Sequence, residues 1–250
     1  MGASSAPLVS DRMSVLCLKA EYVGNANANF MHGIEALNTQ YEGMRRVRGD
    51  GNCFFRGFVF ALCEQLLPAS PSGGEDVNAA RRLRIQEKIQ QSKSELLAVG
   101  YSDVAIDAFW ETFVDYLAAM EGRSHAELVQ DFQTEGGESE YLVEPMGKEC
   151  DQPQIAALTE ALQVGVKIEY LDGSAGPDED LQSYVCSPTV PPVAVGSDSP
   201  PRSSSPSSTT QQLSAQEQAF SITLLYRPGH YDILYPRESG DATQEDSASS

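Results

Sequence analysis

The sequence predicts an α+β fold, a small mixed sheet flanked by helices. Apolar residues recur at spacings of three and four along much of the chain before residue 163, the pattern of amphipathic helices. Val164, Val166, Ile168 and Tyr170 alternate with Lys167 and Glu169, which predicts a strand buried on one face. Ser221–Tyr226 and His230–Tyr235 are β-rich runs separated by Arg227-Pro228-Gly229, which predicts a hairpin.

Taken in order, residues 1–25 give weak signals and are expected to form a flexible arm ahead of a single domain, 26–236. Phe30, Ile34, Leu37, Tyr41 and Met44 keep helical spacing and lead into the polar loop Arg48-Gly49-Asp50-Gly51-Asn52. From Phe54 to Leu67 the chain is apolar on most of its helical surface, so this helix should lie at the centre of the fold. Pro68–Asp76 reads as a loop, and Asn78–Val99 as a polar amphipathic helix stopped by Gly100. Ser102 can cap a helix carrying the stripe Ile106, Phe109, Trp110, Phe113, Val114 and Leu117. Ser124 and Glu127 form a capping-box pattern for a short helix to about Gln133. Asp151 and Pro153 suit the start of a helix continuing to Gly165. Residues 173–217, rich in Ser, Pro, Gly and acidic residues, should be a disordered insertion between two strands, and 237–250 an acidic flexible tail.

Composition excludes several classes. The formal net charge of -19 opposes nucleic acid, whose phosphates would repel the chain, and suits a basic protein partner. No stretch of about eighteen apolar residues is present to span a membrane. Five cysteines, odd in number and without metal-ligand spacing, fit the reducing cytosol, with or without the nucleus, better than a disulfide framework.

The chemistry centres on Cys53. It follows a turn-forming loop and opens an apolar helix, where unpaired backbone N–H groups and the positive end of the helix dipole favour a thiolate and can hold a developing oxyanion. A lone cysteine is more often a small buried hydrophobe. His230 and Asp232 supply what it lacks: two apart on a strand, they point to one face, so Asp232 can orient the imidazole that serves Cys53 as base. Cys17, Cys63, Cys150 and Cys186 read as passive, and His32 as a surface residue off the apolar stripe.

With these residues the chain resembles a known family. Asp50-Gly51-Asn52-Cys53-Phe54-Phe55-Arg56, Val143-Glu144-Pro145-Met146, Ile168-Glu169-Tyr170-Leu171-Asp172 and Tyr226-Arg227-Pro228-Gly229-His230-Tyr231-Asp232-Ile233-Leu234-Tyr235 are similar, in order, to motifs of the otubains, ubiquitin-specific cysteine proteases of the ovarian-tumour (OTU) type. The resemblance implies a cysteine-protease-like OTU fold with Cys53 as nucleophile, His230 as base and acid, and Asp232 as its orienting partner. Asp50 would belong to the oxyanion loop, through its backbone more than its carboxylate. The expected substrate is ubiquitin, including the polyubiquitin that marks proteins for the proteasome, and neither metal nor organic cofactor is required. One departure stands out: otubains carry a helical segment between runs that are fused here at Glu140–Met146, as in a shortened form. In the family that segment helps to bind the distal ubiquitin. An isopeptidase and a module that binds ubiquitin or ubiquitin-conjugating enzymes without turnover therefore both remain open. Gln152 and Gln154 stand where the family has histidines, so no proton-linked role resides there.

Overall fold

The structure, a computed structural model, describes residues 6–68, 76, 78–133, 142–143, 150–177, 179–189 and 221–237. Its sheet has five strands, β1 (Tyr41–Arg45), β2 (Gly165–Tyr170), β3 (Ser183–Cys186), β4 (Ser221–Arg227) and β5 (His230–Pro236), in the order β1-β5-β4-β2-β3. The β2–β4 pairing is parallel and the other three are antiparallel, so the sheet is mixed, as expected. Around it lie a 3-10 helix (Val15–Glu21) and the helices α1 (Asn29–Gln40), α2 (Cys53–Leu66), α3 (Ala79–Ala98), α4 (Asp103–Ala119), α5 (His125–Gln133) and α6 (Gln152–Leu162).

Alternation along the strands divides the interior into two cores. Val166, Ile168, Ile222, Leu224, Tyr231 and Ile233 face the larger one, which they share with α2 to α6. Leu225 and Leu234 face the smaller one, shared with Val15 and Leu18 of the 3-10 helix and Ile34 and Leu37 of α1. By the same alternation, His230 and Asp232 lie on the face of Leu234, the one the 3-10 helix covers.

The central helix is α2. Its buried residues run from Cys53 and Phe54 through Arg56, Phe58 and Phe60 to Cys63 and Leu66, which leaves almost no solvent face. Phe60 is fully buried and stands edge-on to Phe132 of α5, ring centroids 5.1 Å apart. Trp110, Phe113, Val114 and Leu117 of α4 join this core, and the Trp110 indole N–H donates to the Ile89 carbonyl at 2.9 Å. The side chains of Ile106 and Phe109 lie outside the described residues, as do 69–75, 144–149, 190–220 and 238–250. Two of the sequence-read caps are seen to form: Ser124 exchanges hydrogen bonds with Glu127, and Asp151 with Gln154.

Five expectations need correction. Residues 6–25 are not a loose arm: Val9 bridges to Val47 and Met13 to Met44, and Leu8, Val15 and Leu18 are buried. Their order comes from partners distant in sequence, which no local period reveals. Tyr41 and Met44 belong to β1 rather than to the preceding helix; three residues apart, they mimic helical spacing across a strand bulge between Tyr41 and Gly43. The insertion expected to be disordered from residue 173 contributes β3, which pairs with β2 from Val166–Cys186 to Glu169–Ser183. β2 itself is covered on both faces: Glu169 is buried, accepting from the Tyr41 hydroxyl at 2.6 Å and pairing with Lys167 at 2.6 Å. Helix α6 also stops at Leu162, short of Gly165, because Gln163 turns left-handed at φ 55°.

Because Phe60 fills the contact between α2 and α5, Phe60→Ala is expected to lower the unfolding free energy by about 3–5 kcal/mol, measured by urea denaturation.

Candidate active site

The loop before α2 is braced by one carboxylate. Asp50 Oδ1 accepts from the Asn52 backbone N–H at 3.1 Å and from Arg56 Nη1 at 2.8 Å, and Oδ2 accepts from Arg48 Nε at 3.2 Å. Burial would raise the Asp50 pKa, but the hydrogen bond and charge of Arg56 outweigh it and hold the carboxyl below its usual range. Gly51 takes φ 87°, the left-handed region open to glycine, and lets the chain turn sharply into the helix. The Asp50 carboxylate thus has a definite part, fixing the loop backbone, beyond what the sequence suggested. Asn52 makes no side-chain capping bond, so its side chain does not occupy the amides of the first turn.

The candidate base comes from the hairpin. His230 Nε2 hydrogen-bonds Asp232 Oδ1 at 2.9 Å, and Cys53 neighbours the imidazole closely enough to raise its pKa. With Nε2 engaged, Nδ1 is the nitrogen left for the thiol; that edge of the ring faces the loop, 3.4 Å from where a Cβ on Gly49 would stand. Burial would lower the His230 pKa, but the hydrogen bond to Asp232 and the neighbouring Cys53 outweigh it and push it up to about 9. An imidazolium therefore persists through neutral pH.

Asp232 has no exposed surface, and both its oxygens are occupied twice. Oδ1 accepts from His230 and, at 3.0 Å, from the Val47 backbone N–H; Oδ2 accepts from Arg227 Nε at 3.1 Å and Nη2 at 2.7 Å. Burial opposes its ionisation, but the hydrogen bond from His230 and the charge of Arg227 keep its pKa below the usual carboxylate range. The other buried thiols differ. Burial pushes Cys63 up to about 12, and burial with Asp151 and Cys53 nearby does the same to Cys150, so both stay protonated at neutral pH.

All four residues singled out in the sequence thus meet: His230 and Asp232 joined by a hydrogen bond, Cys53 beside the imidazole, and Asp50 in the loop next to them. Sequence reasoning left Arg227 without a role. A signal was present, because a two-residue turn at Pro228-Gly229 fixes the register Arg227↔His230 and places Arg227 diagonal to Asp232 on the same face. Among the described residues, no group of three or more His, Cys, Asp or Glu side chains is arranged to hold a metal ion.

The family model for peptidase C65, otubain, matches residues 1–143 and 139–236 of the chain. The chain belongs to this family. The OVARIAN TUMOR DOMAIN-containing deubiquitinating enzyme 1 of Arabidopsis thaliana is 30% identical over 284 residues, covering 95% of this chain and 83% of that protein. Ubiquitin thioesterase OTUB1 of Rattus norvegicus is 30% identical over 266 residues, covering 92% of this chain and 83% of its own. Among solved structures, the complex of h/ceOTUB1 with ubiquitin aldehyde and UBC13~Ub superposes with a TM-score of 0.69 at 24% identity, over 94% of this chain and 93% of that one. That likeness is one of fold: the otubain is an α+β OTU domain, as its sequence predicts, and a cysteine peptidase by family.

The origin of the His230 shift can be tested directly. In an NMR titration the His230 imidazole is expected to lose its proton near pH 9, and in Asp232→Asn near its unperturbed value of about 6.5. Since the folded-state value is the raised one, the stability it confers is complete below about pH 6.5 and is lost as pH rises through about 9; a thermal-melt series across that window should show the loss in the wild type and not in His230→Gln. A midpoint unchanged by Asp232→Asn would contradict the assignment.

Proposed function

We propose that this otubain is a deubiquitinase that hydrolyses the isopeptide bond between the C-terminal glycine of ubiquitin and a lysine side chain. The observation that carries the reading is the Cys53–His230–Asp232 chain, built from the start of α2 and from β5. With its proton already held on the imidazole as the His230 imidazolium, Cys53 Sγ attacks the glycine carbonyl carbon, and the oxyanion forms against the first-turn amides of α2. As the tetrahedral intermediate collapses, the C–N bond breaks and the imidazolium delivers its proton to the departing lysine amine. Neutral His230 then takes a proton from water, whose oxygen attacks the thioester; ubiquitin leaves with a free carboxylate and the thiol is restored. Asp232 keeps the imidazole in the required tautomer and stabilises it while charged, without accepting the proton.

Ubiquitin as substrate is supported by the names of the relatives, ubiquitin thioesterases and a deubiquitinating enzyme. The net charge of -19 suits it too, since ubiquitin has a basic rim around its apolar patch and a basic tail. We assign polyubiquitin of the kind that targets proteins to the proteasome as the substrate class, on the otubain motifs. We place the reaction in the cytosol, where the five cysteines, all free, stay reduced.

One observation favours a second reading. The two stretches matched by the family model meet at 139–143, and the alignment with the Arabidopsis relative spans 284 residues against a chain of 250, as expected if a segment is absent near that junction. If the distal ubiquitin surface left with it, the domain would engage ubiquitin or a ubiquitin-conjugating enzyme without turnover. A solved relative in complex with UBC13~Ub supports such a partner.

A ubiquitin probe with a C-terminal thiol-reactive group separates the two. The wild type is expected to form a covalent adduct and to cleave ubiquitin chains, while Cys53→Ala, folded by circular dichroism, does neither. Turnover surviving in Cys53→Ala would refute the nucleophile. A folded wild type that takes no label and cleaves no chain, yet retains a conjugating enzyme on a column, would establish the binding reading instead.

A further inference from the structure

The hydrogen-bonded chain through the active site continues past Asp232. Arg227, whose Nε and Nη2 hold Asp232 Oδ2, turns Nη1 outward to Glu21 Oε2 at 2.8 Å. Glu21 is the last residue of the N-terminal 3-10 helix, and its other oxygen accepts from Arg46, just beyond β1. The series Arg46–Glu21–Arg227–Asp232–His230 thus ties a segment 206 residues upstream of Arg227 to the catalytic base.

We propose that Arg227 and Glu21 are positioning residues of the active site: Arg227 sets the orientation of the Asp232 carboxylate, Glu21 fixes Arg227, and the N-terminal 3-10 helix is thereby part of the catalytic apparatus. This rests on the deubiquitinase reading for its kinetic consequence, though not for its electrostatic one. A guanidinium with two donors on one carboxylate oxygen defines the plane of that carboxylate, which a point charge would not do. Left with Asp232 alone, its charge would weaken the attraction of Asp232 for the imidazolium; Glu21 offsets it from the far side. Burial would raise the Glu21 pKa, but the hydrogen bond from Arg46 and the charge of Arg227 keep it low, so Glu21 is ionised wherever the enzyme works.

The other charged or titratable groups around this series are few. Cys53 lies across the imidazole, the Arg48–Asp50–Arg56 cluster braces the loop that passes the ring at Gly49, and Cys17 receives a long contact from Arg46 at 3.9 Å. Lys19, also on the 3-10 helix, pairs with Glu35 of α1 and with none of these groups. That pair anchors the same helix without touching the series, which makes it the control.

The test compares Glu21→Gln, Arg227→Lys, Arg227→Met and Glu35→Gln by hydrolysis of a ubiquitin C-terminal fluorogenic amide and by NMR titration of His230 in the free protein. Glu21→Gln should lower kcat by roughly 3–10-fold with KM unchanged, and lower the His230 midpoint by about 0.5 pH unit through loss of a nearby negative charge. Arg227→Met should cost about 100-fold in kcat, with partial recovery in Arg227→Lys at a melting temperature close to that of Arg227→Met. Glu35→Gln should match the wild type in both readouts. The proposal is overturned if Glu21→Gln keeps the wild-type kcat and His230 midpoint, or if Glu35→Gln reproduces its losses. Should the wild type hydrolyse no ubiquitin substrate, the functional reading fails, while the titration in the free protein still decides whether Glu21 acts on His230.

Discussion

An ionised carboxylate removed from water costs several kcal/mol unless its oxygens find donors, and Asp232, fully buried, finds four. They come from three places: the Val47 amide after β1, two nitrogens of Arg227 at the end of β4, and His230 on its own strand. Satisfying this one group therefore requires the β1 edge, the hairpin turn and the imidazole to be in place together. Truncating any donor would leave a buried charge partly unpaired, which is costly enough that the arrangement behaves as a unit. Function and fold specificity share one device here: the contacts that make the charge tolerable also aim His230 at Cys53.

The thiol side of the site is held by a different principle. Helix α2 is apolar around nearly its whole circumference, so dense packing rather than polar contacts fixes its axis. Polar contacts add to this at Glu64, which accepts from the Tyr235 hydroxyl, and at Arg56, buried in the helix and bonded to Asp50 and the Arg48 carbonyl, which fastens the loop to the helix it precedes. A side-chain N-cap would add roughly 0.5–2 kcal/mol to such a helix, and Asn52 does not supply one. That forgone stability leaves the first-turn amides to a substrate oxyanion. A rigid helix with an open N-terminus is what an acyl-transfer site needs, and the loop is braced from the side through Asp50 so that its end stays free.

What was legible in the sequence follows from how local its causes are. The polar loop running into an apolar helix, the hairpin with its two-residue turn, and the caps at Ser124 and Asp151 are each set by residues within a few positions, and each was readable. The seating of residues 6–25, the strand character of Tyr41–Arg45 and the pairing of Ser183–Cys186 depend on partners far along the chain. Val15 and Leu18 are buried in the smaller core, and Val9 and Met13 bridge to Val47 and Met44, partners that no local period announces. β3 sits in Ser- and Pro-rich surroundings and owes its form to the edge of β2. At the site the division is the same. Cys53, His230 and Asp232 announced themselves by local spacing, Arg227 was recoverable from hairpin register, and Glu21 could not be seen, since nothing near it in sequence hints at Arg227.

The same distinction bears on how a family member can lose an internal segment and keep its chemistry. The two halves of the site sit on elements in direct contact, α2 and β5, with Phe54 edge-on to Tyr231 at 5.3 Å. Between them in sequence lie α3 to α6 and β2 to β4, and the hydrogen bonds described for His230 and Asp232 run to Val47 and Arg227, away from residues 139–143 where the family matches meet. Changing the length of such a connection alters closure entropy only slowly, by about 0.6 kcal/mol per doubling, so the α2–β5 contact can form regardless. Substrate recognition has no such insulation, because a binding surface for a whole protein is the sum of peripheral elements and shrinks with each one removed. Chemistry and affinity are thus separable in this architecture, since the contact that joins α2 to β5 does not depend on the length of the chain between them.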